Sequence, residues 1–436
     1  MHPILSLPYA LIASAAEQLA RAPIPGDAKA VRALRARRGA IERFEHWGAH
    51  GRDARRPLLW MHAPSVGEGL QARPVIERLR IRHPQVQIAY TFYSPSAERF
   101  AASLGADFSD YLPFDSTRAA QRVLDALKPN ALVFAKLDLW PRLTEVAAPR
   151  GVRVGMISAT LSAGSGRMGK LPRAVLGDAY AALAMVGAID PDDAGRLAIL
   201  GVRTERIRVT GDTRYDQVAA RAAAADRSST LLAPIASERP TVVAGSTWPA
   251  DESVLLSAWS ELRTLVPRAR LIIAPHEPTR THLAPIRSWA AEVGLSLATL
   301  AEAGPEHDVV LVDRVGVLGD LYALADAAYV GGGFHSAGLH SVLEPAAFGA
   351  PVLFGRRHTN SRDAALLLAA RGAVAVSDVA SLLRALRIVL TEADTRAHAG
   401  GAAREVVRGG IGAAERSTEL VEELLGLRVG GGRGQV

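Results

Sequence analysis

The chain carries no cysteine. That excludes a disulfide framework, a thiolate nucleophile and thiolate-ligated metals, and it suits a reducing compartment. A long apolar run is also missing. The stretch Pro3 to Ala16 (PILSLPYALIASAA) is shorter than the ~20 apolar residues of a spanning helix. It contains Pro3 and Pro8 and opens without a basic residue, so it does not read as a signal peptide. Nor is there a body-wide excess of one charge. Of the 51 Lys and Arg and 44 Asp and Glu, ten basic and four acidic residues fall within 21–56, which leaves the remainder almost neutral. A nucleic-acid-binding surface spread over the body is thereby excluded, and a local basic patch is indicated.

What is present is a chain of 436 residues, 49% apolar and 22% charged, long enough for a large core and two or more domains. The basic patch follows the apolar stretch. One reading is an interfacial anchor whose cations meet anionic lipid head groups. The other is an N-terminal helix packed on the body with a solvated charged face. Composition supports both.

From Arg56 onward, short apolar runs alternate with amphipathic stretches. Leu58–His62, Gln87–Phe92, Ala131–Ala135, Val152–Ser158 and Ile207–Thr210 read as strands. Leu70–Arg82, Ser96–Leu104 and Thr117–Leu127 read as helices between them. Residues 216–239, rich in Ala and Ser, carry no strand signal and read as a linker or connecting helix. A second series follows: Thr241–Ala244, Leu271–Ala274, Val309–Val312, Ala327–Val330 and Pro351–Phe354. The alternation predicts an α/β protein with two parallel-sheet halves, whose ligands sit beyond the carboxyl ends of the strands.

The loops after the strands are therefore where chemistry is sought. In Ala63-Pro64-Ser65-Val66-Gly67-Glu68-Gly69, Ser65 and Glu68 have the spacing of a capping box. Spacing alone favours that capping role; the other reading is that Glu68, at a helix start, takes a proton from an attacking hydroxyl, with the amides at the helix start able to hold an anion. Lys136 and Asp138 follow the strand Ala131–Ala135 and project the same way if that strand continues. Either they contact substrate or Asp138 caps the helix containing Pro141. Asp190-Pro191-Asp192-Asp193 contains a D-x-D, but Asp190 as N-cap with Pro191 at the first helical position accounts for it, so no metal is expected.

In the second half, Gly245-Ser246-Thr247 suits phosphate binding before a helix near Asp251, or simple capping. His276 stands after a central strand. The densest signal is Gly331-Gly332-Gly333-Phe334 followed by Gly338-Leu339-His340-Ser341-Val342-Leu343-Glu344. Three glycines allow close backbone approach to a ligand, a helix from His340 would aim amides at a phosphate, and Glu344 could accept from ribose hydroxyls. This run is neither the Rossmann G-x-G-x-x-G pattern nor a Walker A loop. Arg356, Arg357, His358 and Asn360 follow the next strand on the same rim.

At these residues the sequence resembles the 3-deoxy-D-manno-octulosonic acid (Kdo) transferases of lipopolysaccharide assembly. The resemblance runs in order through WMHAPSVGEG, YLPFD, LDLWP, VTGDTRYD, GSTWPADE, IIAPHEP and GGGFHSAGLHSVLEPAAFGAPVLFG. It implies a GT-B fold of two facing Rossmann-like domains with an interdomain cleft. It also implies transfer from CMP-Kdo to a lipid A precursor with inversion, no metal or other cofactor, and action at the cytoplasmic face of the bacterial inner membrane. By the same resemblance Glu68 is the general base. It also implies that Ser246, Thr247, His276, Gly332, Gly333 and Glu344 line the donor site, with Asn360 nearby; His340 is expected with the donor group, and Ser65, Gly67, Lys136 and Asp138 are expected to be acceptor or cleft residues. Many family members carry two glutamates in place of Lys136 and Asp138, and Pro-Arg-His in place of Pro275-His276-Glu277. The expected division is a membrane-associating basic segment 1–56, an acceptor domain 57–215, a linker 216–239, a CMP-sugar domain 240–428 and a disordered tail 429–436. Competing readings are a UDP-sugar transferase or epimerase on the same fold, or a non-catalytic membrane-associated protein that has kept it.

Overall fold

The computed structural model describes residues 3–21, 29–162 and 164–427. The expected tail, 429–436, lies outside them. The described chain forms two compact units, one running up to Gln217 and resuming at Gly412, the other covering Val218–Ile411.

Each unit holds a seven-stranded sheet. The first comprises β1 (Leu58–His62), β2 (Gln87–Phe92), β3 (Phe108–Tyr111), β4 (Ala131–Ala135), β5 (Arg153–Ala159), β6 (Met185–Ala188) and β7 (Ile207–Val209), in the order β3-β2-β1-β4-β5-β6-β7. The second comprises β8 (Thr241–Thr247), β9 (Arg270–Pro275), β10 (Leu297–Thr299), β11 (Val309–Leu311), β12 (Ala327–Val330), β13 (Val352–Gly355) and β14 (Ala373–Val376), in the order β10-β11-β9-β8-β12-β13-β14. All neighbouring strands are parallel. β1, β2 and β4 are buried at every position, because helices cover both faces of the sheet and the strands are mostly apolar. This is the expected two-domain α/β architecture.

Three expected boundaries change. Residues 1–56 are not a segment apart. The helix Ala40–His50 buries Phe44 completely against Trp60 and Phe108, so it is part of the first core. Residues 216–239 are not a free linker: the helix Arg214–Ala224 opens the stretch, and Leu232 and Ile235 are buried in the second unit. The helix Ala413–Leu425 belongs to the first unit, not the second. Its Leu420, Val421, Leu424 and Leu425 join Leu59, Met61, Val133 and Ile157 in one apolar cluster. Asp216 fastens its start, accepting from the Gly412 and Ala414 amides at 2.9 Å each.

Candidate active site

In each sheet the strand order reverses between two neighbouring central strands: β1 and β4 in the first unit, β8 and β12 in the second. Crossovers leave such a pair in opposite directions, so the loops at their carboxyl ends part and leave room for a ligand. The sequence-predicted residues gather at these two places, five in the first unit and eight in the second.

In the first unit Ser65 is the N-cap of the helix Val66–Arg82, its hydroxyl oxygen accepting from the Gly67 amide at 3.2 Å. The same hydroxyl donates to Glu68 Oε2. No reciprocal bond from the Ser65 amide to Glu68 completes a capping box. Instead Glu68 Oε1 faces Lys136 Nζ at 3.4 Å. Lys136 ends β4 with φ +63°, a left-handed conformation that costs a non-glycine residue of order 1 kcal/mol and concentrates at functional sites. That turn explains a departure from expectation. Lys136 and Asp138 do not project together from a continuing strand; Lys136 reaches Glu68, and Asp138 reaches elsewhere.

Asp138 caps no helix. The helix Pro141–Ala147 takes its capping carboxylate from Asp115, which accepts from the Arg142 and Leu143 amides at 3.0 and 2.8 Å. Asp138 Oδ2 instead accepts from His62 Nε2 at 2.9 Å and Trp140 Nε1 at 3.0 Å. Burial would raise this carboxyl, but the facing His62 ring, first through its hydrogen bond, then the Trp140 hydrogen bond and the charge of Arg167 outweigh it and hold it below the ordinary aspartate value. Beside it, Arg37 is buried under the rings of Tyr93, at 3.8 Å, and Trp140, at 5.6 Å. Burial lowers its pKa to about 10, so it stays charged.

In the second unit β8 continues through Ser246 and Thr247, and its helix begins at Pro249, earlier than expected. Ser246 has φ +54° at an irregularity in the pairing with β9. The Thr247 hydroxyl points inward and donates to Glu252 Oε1 at 2.7 Å, an oxygen that also meets His282 Nε2 at 3.0 Å. Asp251, fully buried, ties three backbone amides together: Oδ2 accepts from Trp248 at 3.0 Å and Gly332 at 2.7 Å, and Oδ1 from Phe334 at 2.9 Å.

The glycines serve this close packing. A Cβ on Gly332, at φ +90°, would lie 2.0 Å from Gly338 O, and one on Gly333 would lie 2.3 Å from Gly355 N. The backbone they admit is the chain's own. A side chain at Gly338 would press on the Asn360 amide.

Trp248 stacks on His335 at 4.3 Å between ring centres, lies tilted by 32° against His276 at 4.6 Å, and donates from Nε1 to His340 Nε2 at 3.1 Å. An indole can only donate, so His340 Nε2 carries no proton. Burial agrees, lowering the His340 pKa to about 4, and it lowers that of His276 too. His340 is not helical; the helix is Leu343–Ala347, and Glu344 sits in its first turn. Burial raises the Glu344 carboxyl against the opposing charge of Arg221.

His62, Thr91, Arg37, Asp251, Trp248 and His335 are the participants that the sequence reading passed over. His62 was hidden inside an apolar strand, and Asp251 looked like an ordinary first-turn acid. In the run Asp190-Pro191-Asp192-Asp193, Asp190 caps the helix by accepting from the Asp193 amide, and Asp193 accepts from the Leu161 amide.

Residues 34–217, which include the whole first-unit rim, match the family model described as 3-deoxy-D-manno-octulosonic-acid transferase. A 3-deoxy-D-manno-octulosonic acid transferase from Bordetella pertussis is 32% identical over 396 residues, covering 87% of this chain and 91% of that protein. The chain belongs to the Kdo transferase family. A second Kdo transferase, from Haemophilus influenzae, is 28% identical over the same shares of the two chains. Among solved structures, the UDP-GlcNAc 2-epimerase of Neisseria meningitidis bound to UDP-GlcNAc aligns with a TM-score of 0.62 at 17% identity, covering 85% of this chain and 99% of that one. That likeness extends the shared fold beyond the Kdo transferases without extending the chemistry.

Proposed function

We propose that this chain is an inverting, metal-independent glycosyltransferase that moves Kdo from CMP-Kdo to a lipid A precursor of the lipid IVA type in lipopolysaccharide biosynthesis. The observation that carries the reading is Glu68: a partly exposed carboxylate at the reversal point of the first sheet, oriented through one oxygen by Ser65 and through the other by Lys136. An acceptor hydroxyl gives its proton to Glu68 as its oxygen attacks the anomeric carbon. The bond to the cytidylate phosphate breaks on the opposite side, and CMP leaves with the electron pair. The second unit holds the donor, with Ser246, His276, His340, Glu344 and Asn360 on its rim and Thr247, Gly332 and Gly333 shaping it from beneath.

The acceptor is a lipid, and the helix Pro3–Arg21 suits a bilayer surface. Leu7, Leu11, Ile12 and Leu19 are 57–71% exposed, while Tyr9 on the other side donates to Asp115 at 2.7 Å. Among the described residues no helix is long and apolar enough to cross a membrane. We place the protein on the cytoplasmic face of the inner membrane through this helix more than through the basic segment. Several of that segment's arginines are engaged internally, Arg43 with Asp110 at 2.8 Å and Arg52 with Gln87 at 2.8 Å.

The test is incubation with CMP-Kdo and a tetraacylated lipid A precursor, followed by mass measurement of the lipid. The wild type adds Kdo. Glu68→Ala does not, yet still binds CMP-Kdo. Product from the variant, or none from the wild type, overturns the reading, and competition by UDP in place of CMP would redirect it to a different nucleotide sugar.

A further inference from the structure

A completely buried histidine lies beneath the first-unit rim, in none of the roles assigned so far. His62 ends β1 with no exposed surface. Its Nδ1 is 2.9 Å from Thr91 Oγ1, and its Nε2 is 2.9 Å from Asp138 Oδ2. Thr91, also fully buried, accepts at the same oxygen from Trp60 Nε1 at 3.0 Å.

The direction of every proton in this row follows from what each group can do. The Trp60 indole only donates, so it donates to Thr91. An ionised carboxylate only accepts, so His62 Nε2 bears a hydrogen directed at Asp138. Two possibilities remain for Nδ1. If it too bore a hydrogen, Thr91 would receive two donors, and its own hydroxyl hydrogen would have no acceptor among the described residues, in a place closed to water. An unmade buried hydrogen bond costs roughly 1–3 kcal/mol. If Nδ1 is bare, the hydroxyl hydrogen of Thr91 goes there and every donor in the row is matched.

We infer that His62 is a positioning residue: a neutral imidazole, protonated at Nε2 alone, that locks the Asp138 carboxylate so that Oδ2 is saturated and Oδ1 is left to accept from a hydroxyl of the incoming sugar acceptor. Oδ2 takes both the His62 and the Trp140 donors, and Oδ1 has no partner among the described residues. Asp138 remains partly exposed, with 29% of its side chain accessible. The carboxylate is thus fixed at one oxygen and open at the other, two residues along the chain from the lysine that touches Glu68. The relay from Trp60 through Thr91 has no exit to solvent and serves only to fix the ring. The inference rests on the transferase reading, since it assigns the open oxygen to that reaction's acceptor.

Two measurements separate the inference from the reading beneath it. Nitrogen NMR of the wild-type protein labelled at histidine reports the tautomer directly. The expected pattern for His62 is a protonated Nε2 and a bare Nδ1; a protonated Nδ1, alone or in a doubly protonated ring, overturns the inference whatever the enzyme's substrate. Steady-state transfer then reads the role. Glutamine places its amide nitrogen near the Nε2 position and asparagine near Nδ1. His62→Gln is expected to stay within about threefold of wild type. His62→Asn is expected to lose about 10- to 100-fold in kcat/KM for the lipid, with the KM for CMP-Kdo unchanged, the loss of one hydrogen bond to a charged group. Equal losses in both variants at matched thermal midpoints overturn the positioning role. Failure of the wild type to transfer Kdo at all would refute the transferase reading while leaving the tautomer result standing.

Discussion

The two rims solve different problems with different materials. The first is built from charge: Glu68 against Lys136, Asp138 under two donors, Arg37 beneath a ring. The second is built from neutral planar groups and backbone. Trp248 stacks on His335 and packs beside His276 and His340, whose pKa values burial pushes down, and one buried carboxylate, Asp251, gathers the amides of three loop residues. A proton acceptor has to be ionised and partly wet, so the first rim keeps its charged atoms near the surface. For the proposed nucleotide site the second rim supplies a preformed surface, with Asp251 beneath the loops and Arg356 and Arg357 exposed at the edge. The reversal of strand order supplies the location in both sheets, and the side chains supply the difference.

This contrast can be broken in four ways. The largest effect is expected at Glu68. Glu68→Gln should slow transfer about 10²- to 10⁴-fold, the range for losing a general base, without weakening CMP-Kdo binding by calorimetry. A parallel loss of donor binding would mean that the rims do not divide the labour. Asp251→Ala comes next. It leaves three amides without their acceptor, and should abolish measurable CMP-Kdo binding while lowering stability by about 3 kcal/mol in urea unfolding. Unchanged binding would remove the amide scaffold from the donor site.

The third test uses pH. The folded pKa of His340, about 4, lies below its ordinary value, so on acidification the unfolded chain takes up the proton first. Its contribution is complete above pH ~6.5 and is lost as pH falls towards 4. His340→Gln should flatten the fall in thermal midpoint across that window, and an unchanged slope would show the imidazole to be freely protonated when folded. The smallest effect concerns neither rim. Leu11→Glu together with Ile12→Glu should reduce sedimentation with anionic vesicles and leave the thermal midpoint within a degree or so, since surface changes away from packed features stay within about 0.5 kcal/mol.

The central strands were legible in the sequence because each is a mostly apolar run buried on both faces, with the few polar members, such as His62 and Thr91, buried too. β3, β6, β10 and β14 were not. They have only three or four residues each, and β3 and β14 carry exposed positions. The rim loops were legible through their place after strands and through family resemblance. Their internal wiring was not. The spacing of Ser65 and Glu68 suggested a capping box, yet a left-handed Lys136 brings a cation from another strand and turns Glu68 towards it. The glycine run suggested room for a ligand, yet that room is filled by Gly338 and Gly355. Such outcomes depend on partners far away in sequence, which no local spacing encodes.

The helix Ala413–Leu425 carries a lesson about synthesis. The chain begins the first core, leaves it after Gln217, builds about 200 residues elsewhere, and only then returns with Leu420, Val421, Leu424 and Leu425. On a ribosome the amino-terminal half emerges first but must wait, with an apolar groove over β1, β4 and β5 uncovered, until the whole second unit and the helix after it have been translated. The portion translated later can reach its final form sooner, so order of manufacture and order of completion are reversed.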